Sequence, residues 1–287
     1  VFDRFVVVDW SANSAPKLGR DSIWIAQLDA GGGDSVTNLP TRRSAEMVIA
    51  GICAAGADTT TLIAVDFSLG YPVGTAAALG LEGMPWSSTW ALLTTRVVDD
   101  GRNANNRFAV AAELNRRLTA TAAPFWGCPP SAAGEYLAPT KAPVPPSLAA
   151  FRACEQVLRG QGRRPFSSWQ LLGAGAVGSQ SLLGIPMLER LRHRFVDRVD
   201  VWPFTTGFRP PDLDAGAIVI AEIWPSMREL GDHGAMVRDA AQVSATATWL
   251  VARDGAGELA ALFSPTMSPE VEAAALVEEG WVLGVMP

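Results

Sequence analysis

The sequence predicts an α/β protein: a mixed sheet, with a three-strand antiparallel meander followed by parallel strands, flanked by helices. Three observations carry this. Short runs of β-branched and aliphatic residues alternate with longer amphipathic stretches. The first three runs follow one another without a helix between them, which suits a meander. Later runs are separated by helical patterns, which suits parallel strands joined by crossovers.

Phe5-Val-Val-Val-Asp9 is a continuous strand-forming run, and Ser22–Leu28 is the second. Ser35–Leu39 reads as a weaker third strand, joined to the second by the permissive Gly31-Gly-Gly-Asp34 segment. Ser44–Gly56 predicts a helix, with a serine near its start, apolar Met47, Ile49, Ile52 and Cys53, and a glycine stop. Thr61–Asp66 is a fourth, buried strand. From Tyr71 to about Phe166 the pattern is a helical and loop insertion within a single domain spanning 1–287. It contains a helical stretch at Asn105–Leu118 and a proline-rich stretch from Pro124 to Pro146. Strands resume at Arg198–Pro203 and Ala217–Ile223, and a helix runs from about Met236 to Ala252. That helix carries its apolar stripe away from Asp239.

Composition excludes several function classes. No apolar run approaches the ~20 residues a membrane-spanning helix needs, so no membrane role is expected. The first residues lack the pattern of a secretory signal, which predicts a cytoplasmic protein. Cys53, Cys128 and Cys154 are scattered and unmotifed, so reduced structural thiols are expected. With only His193 and His233, and no paired-histidine motif, zinc is not expected and any metal would be held by oxygen. A net charge of -6 requires any nucleic-acid contact to rest on a local basic surface.

Strand, strand, strand, helix, strand permits a crossover that lays the fourth strand parallel to the first. Asp9 and Asp66 then become neighbours at matching strand ends. Adjacent strands lie about 4.8 Å apart, so two such carboxylates repel unless a cation, proton or basic group lies between them. The carboxyl ends of strands are also where open α/β sheets bind ligands. Glu222 ends a later strand and would be a third acid at that edge. An aspartate after a strand is also a common turn residue. Its repetition in two strands, followed by Trp10-Ser11 and Phe67-Ser68, is the more specific signal.

Val-Val-Val-Asp9, Ala-Val-Asp66-Phe-Ser-Leu-Gly-Tyr-Pro, Ala-Glu222-Ile-Trp-Pro-Ser and Arg-Asp239-Ala-Ala resemble an uncharacterised family of predicted nucleases with a ribonuclease-H-like fold. The resemblance implies a metal-dependent nuclease or phosphodiesterase, with Asp9, Asp66, Glu222 and Asp239 as catalytic metal ligands for Mg²⁺ or Mn²⁺. Its substrate would be a nucleic acid or nucleotide. Two such ions activate water and stabilise the leaving oxygen. Ser11 and Ser68 are candidate substrate contacts, as turn hydroxyls beside the two aspartates.

Gly173-Ala-Gly175-Ala-Val-Gly178, preceded by Gln170, has dinucleotide-binding spacing; it also reads as a helix entry with close backbone packing, or as a loop contacting a phosphate of the nuclease site. A dinucleotide is disfavoured, because the motif lies mid-chain and Gly184-Ile-Pro186 would interrupt the following helix. Arg192 and Arg194 belong to a basic cluster that could meet phosphates. Rival readings are an actin-like ATPase or sugar kinase, a dinucleotide-binding enzyme and a non-catalytic binding protein.

Overall fold

The computed structural model describes all residues except Pro146, Ala174, Arg228, Glu229 and residues 231–233. His233, the middle of the glycine loop and the end of the proline-rich stretch therefore lie outside the described residues.

Six strands form one mixed sheet: β1 (Arg4–Asp9), β2 (Ile23–Asp29), β3 (Asp34–Leu39), β4 (Thr61–Val65), β5 (Val199–Val201) and β6 (Ile218–Glu222). Their order is β3-β2-β1-β4-β6-β5. β1, β2 and β3 pair antiparallel, and β4, β6 and β5 continue parallel to β1. The meander and the first crossover follow the expected order. β5 is shorter than its sequence run, because the chain turns at Trp202 after only three paired residues.

α1 (Arg42–Ala55) begins earlier than its apolar periodicity suggests. Thr41 is the N-cap, and Thr41 and Ser44 cap each other reciprocally, so the serine read as a start is the third helical residue. Between β4 and β5 lie α2 (Thr75–Ala78), α3 (Pro85–Arg96), α4 (Arg107–Thr119), α5 (Ala153–Gly160) and α6 (Val177–Arg194). After β6 come α7 (Arg238–Gly255), α8 (Leu259–Leu262) and α9 (Pro269–Ala274).

Strand alternation separates two apolar layers. Val6, Val8, Ile63, Val65, Ile218 and Ile220 face α1, α3, α4 and α6. Phe5, Val7, Leu62, Ala64, Val219 and Ala221 face α5, α7 and the C-terminal segment. The three cysteines are buried and free. Among the described residues no helix is long and apolar enough to cross a membrane.

α6 corrects the expectation of a broken helix: it runs 18 residues with Pro186 inside it. An internal proline costs about 3 kcal/mol. Leu182, Leu183, Ile185, Met187, Leu188 and Leu191 are all buried around it. Burying each such side chain returns about 1.5–3 kcal/mol, enough to carry the helix through. Gly184 is required for another reason. A β-carbon there would stand 2.3 Å from the Phe67 ring, so the glycine lets α6 lie directly on the segment leaving β4.

Candidate active site

Register decides which acids meet. Val8 on β1 is level with Val65 on β4, so Asp9 and Asp66 are the next pair along. The Asp66 N–H donates to the Val8 carbonyl at 3.2 Å, extending the ladder by one step. Asp9 shares the phase of Phe5 and Val7, and Asp66 that of Leu62 and Ala64. Both carboxyls accordingly turn toward the α7 side of the sheet.

The two carboxyl groups are hydrogen-bonded to each other. Burial and the neighbouring Asp66 charge push the Asp9 carboxyl well above the usual range. Burial likewise pushes Asp66 up to about 6, opposed by hydrogen bonds from the Trp10 N–H and from Asp9. Both shifts run in the direction that favours retention of a proton by the pair. The Trp10 N–H donates to Asp66 Oδ1 at 2.8 Å. Gln180, on α6, donates to the Trp10 carbonyl at 2.5 Å and reaches Asp66 Oδ2 at 3.5 Å. These contacts fix the rotamer of Asp66 from the opposite layer of the fold.

Asp239 sits in the first turn of α7 and accepts from the Asp21 N–H at 2.6 Å. It is close enough to raise the affinity of both Asp9 and Asp66 for protons. Asp9, Asp66, Asp239, Ser11 and Ser68 all line one cavity of about 630 Å³.

Glu222 borders that cavity but is differently engaged. It is level with Val65, not Asp66, so alternation carries it out of phase with the two aspartates. Both of its oxygens are held by buried Arg152, at 2.6 and 2.7 Å, and Oε2 also accepts from the Leu69 N–H. Arg152 further donates to Glu155 and to the Glu279 carbonyl. Burial raises Glu155 to about 7, while Arg152 beside it pulls the other way. The expected convergence of four carboxylates is therefore not assembled. Among the described residues no three acidic, histidine or cysteine side chains gather closely enough to hold an ion. What remains is a carboxyl pair with a third acid nearby. Hard oxygen donors suit Mg²⁺ or Mn²⁺, and Mg²⁺ is commonly held by one or two carboxylates plus waters and substrate oxygens.

The glycine loop leads into α6 and borders the cavity at Gly173 and Gly175. Gln170 forms an isolated bridge to Trp126, and among the described residues no strand of the sheet directly precedes the loop, where a dinucleotide fingerprint requires one. Gly178 serves packing: a β-carbon there would meet the Ser168 and Gln170 carbonyl oxygens at 2.4 and 2.7 Å. Arg192 and Arg194 are not brought to the cavity. They lie at the far end of α6, a helix about 27 Å long. Arg192 is engaged by Glu189 through two hydrogen bonds. Sequence reading missed Gln180, Asp21, Arg107 and Arg152, all on the cavity wall. The one hint for Gln180 was its position two residues past Gly178. Comparison of the chain with family models, with curated proteins and with solved structures finds no match.

Proposed function

We propose that the chain is a metal-dependent nuclease or phosphodiesterase with a ribonuclease-H-like core, acting on a nucleic-acid or nucleotide phosphodiester. The observation that carries this reading is the Asp9–Asp66 carboxyl pair set side by side at the ends of adjacent parallel strands, on the wall of one cavity. A meander followed by a parallel neighbour of β1 is the arrangement such a core requires, and it supports the assignment.

Asp9 and Asp66 are the ligands, with a divalent cation replacing a proton retained by the pair. Trp10 and Gln180 hold Asp66 in place, and Asp239 adds negative charge from α7. Glu222 is assigned a supporting role, because its charge is consumed by Arg152. A Mg²⁺ or Mn²⁺ ion at the pair supplies Lewis-acid polarisation of water and of a phosphoryl oxygen. Since the ion displaces a proton, binding weakens as the pair becomes protonated at lower pH.

The test is cleavage of end-labelled single- and double-stranded RNA and DNA with Mn²⁺ or Mg²⁺. Cleavage that needs the metal and disappears in Asp9→Asn and Asp66→Asn is expected. Undiminished cleavage by Asp9→Asn, or none by the wild-type protein with Mn²⁺ bound, would overturn the reading.

A further inference from the structure

We propose a second, anion-binding site in the same cavity, centred on Arg107, that receives a phosphoryl oxyanion. Arg107 opens α4 and is only 7% exposed, yet it borders the cavity. Its Nε donates to Ser179 Oγ at 3.0 Å, and its Nη1 donates to Ser14 Oγ at 2.9 Å and Asn105 Oδ1 at 2.8 Å. Nη2 carries no hydrogen bond among the described residues, and no carboxylate there lies within salt-bridge distance of the guanidinium.

The acid whose charge reaches Arg107, Asp99, does not pair with it. Asp99 spends both oxygens on Arg42, itself 3% exposed, at 2.5 and 2.6 Å. Its charge is therefore committed to the neighbouring guanidinium. Arg107 also stands at the N-terminus of its helix, where the backbone dipole disfavours a cation. Burial and the neighbouring Arg42 accordingly push its affinity for protons down, to about 10. The guanidinium lies over the Phe108 ring, 4.2 Å from its centroid, but among the described residues no counter-charge pairs with it, and an anion entering the cavity would supply one.

The backbone amides entering α6 do not supply this site, since the N–H groups of Val177, Gly178 and Ser179 already bond within the chain. Recognition would come from the two N–H groups of Arg107 Nη2, which have no partner among the described residues, and from the exposed Ser14 hydroxyl. Ser179, bonded to Arg107, immediately precedes Gln180, which bonds the Trp10 carbonyl beside Asp66. Cation-binding and anion-binding ends are thus joined through consecutive residues. A phosphate ester is the ligand class that carries groups for both ends, an oxyanion for Arg107 and oxygens for a cation at the carboxyl pair, and both ends line the same cavity. In that respect the choice of phosphate over carboxylate rests on the nuclease reading; the anion site itself does not.

The experiment is calorimetric titration of the metal-free protein in EDTA with inorganic phosphate and, separately, acetate, followed by Mn²⁺ titration without EDTA. Wild-type protein is expected to bind phosphate saturably and more tightly than acetate. Arg107→Gln should weaken phosphate binding at least about tenfold. Ser14→Asp, at an exposed position, places a carboxylate against the guanidinium and should abolish phosphate binding while preserving the melting temperature. Phosphate binding unchanged in Ser14→Asp, or absent from the wild type, overturns the site. Equal binding of acetate overturns its specificity for phosphate. Loss of Mn²⁺ binding in the wild type would strike the nuclease reading alone.

Discussion

Replacing Asp9 with asparagine separates the charge of the carboxyl pair from its shape. The side chain keeps its size and can still donate to Asp66, but it no longer has to retain a proton in the folded state. Asp66 rises from 3.8 to about 6 on folding, which costs the folded protein about 3 kcal/mol once the group is ionised. Burial and the Asp66 charge raise Asp9 as well, which adds a penalty of the same sign. Both are carboxyls with raised folded-state values. Their contribution to stability is complete below pH 3.8 and is lost as pH rises, through about 6 for Asp66 and through the raised Asp9 value. In EDTA at pH 7.5, Asp9→Asn is expected to be more stable than the wild type and to melt at a higher temperature. The gap should close on acidification toward pH 4. Urea and thermal melts across that range measure it directly. A destabilised Asp9→Asn at pH 7.5, or a difference that does not change with pH, would refute the reasoning.

Three further outcomes follow from the surrounding structure. Arg152→Met leaves Glu222 and Glu155 buried without their cation and should cost about 3–5 kcal/mol in urea melts, with part recovered when Glu222→Gln is added. Gly184→Ala drives a methyl into the Phe67 ring and should cost about 1–3 kcal/mol, measured in the same way. Gly178→Ala collides with two backbone carbonyls, so the start of α6 must shift and Gln180 withdraws from Asp66. Mn²⁺ affinity should fall in calorimetry even at temperatures where circular dichroism shows a folded protein.

The Asp9–Asp66 pairing is legible in the sequence. Two apolar runs ended on aspartate, and the order of elements allowed one arrangement that set them side by side. The phase of Glu222 was not legible, because a buried strand apolar on both faces does not announce its register, and one residue of offset reverses a side chain. Arg152 was invisible for another reason. Its salt bridge to Glu222 spans 70 residues of sequence, and no local pattern distinguishes a buried arginine from a solvated one. Arg107 reaches Ser179 across 72 residues in the same way. Pro186 misled because the local rule is correct and tertiary burial outweighs it. Arg192 and Arg194 looked like phosphate contacts as a cluster, but helix length sets them at the wrong end of α6.

The most direct test of the central claim is a crystal of the wild-type protein soaked in Mn²⁺, with anomalous scattering recorded at the manganese edge, beside an identical soak of Asp9→Asn. An anomalous peak is expected between the Asp9 and Asp66 carboxylates in the wild type, and none in the variant. A wild-type crystal without that peak at saturating Mn²⁺, with the two carboxyls still hydrogen-bonded to each other, would contradict it.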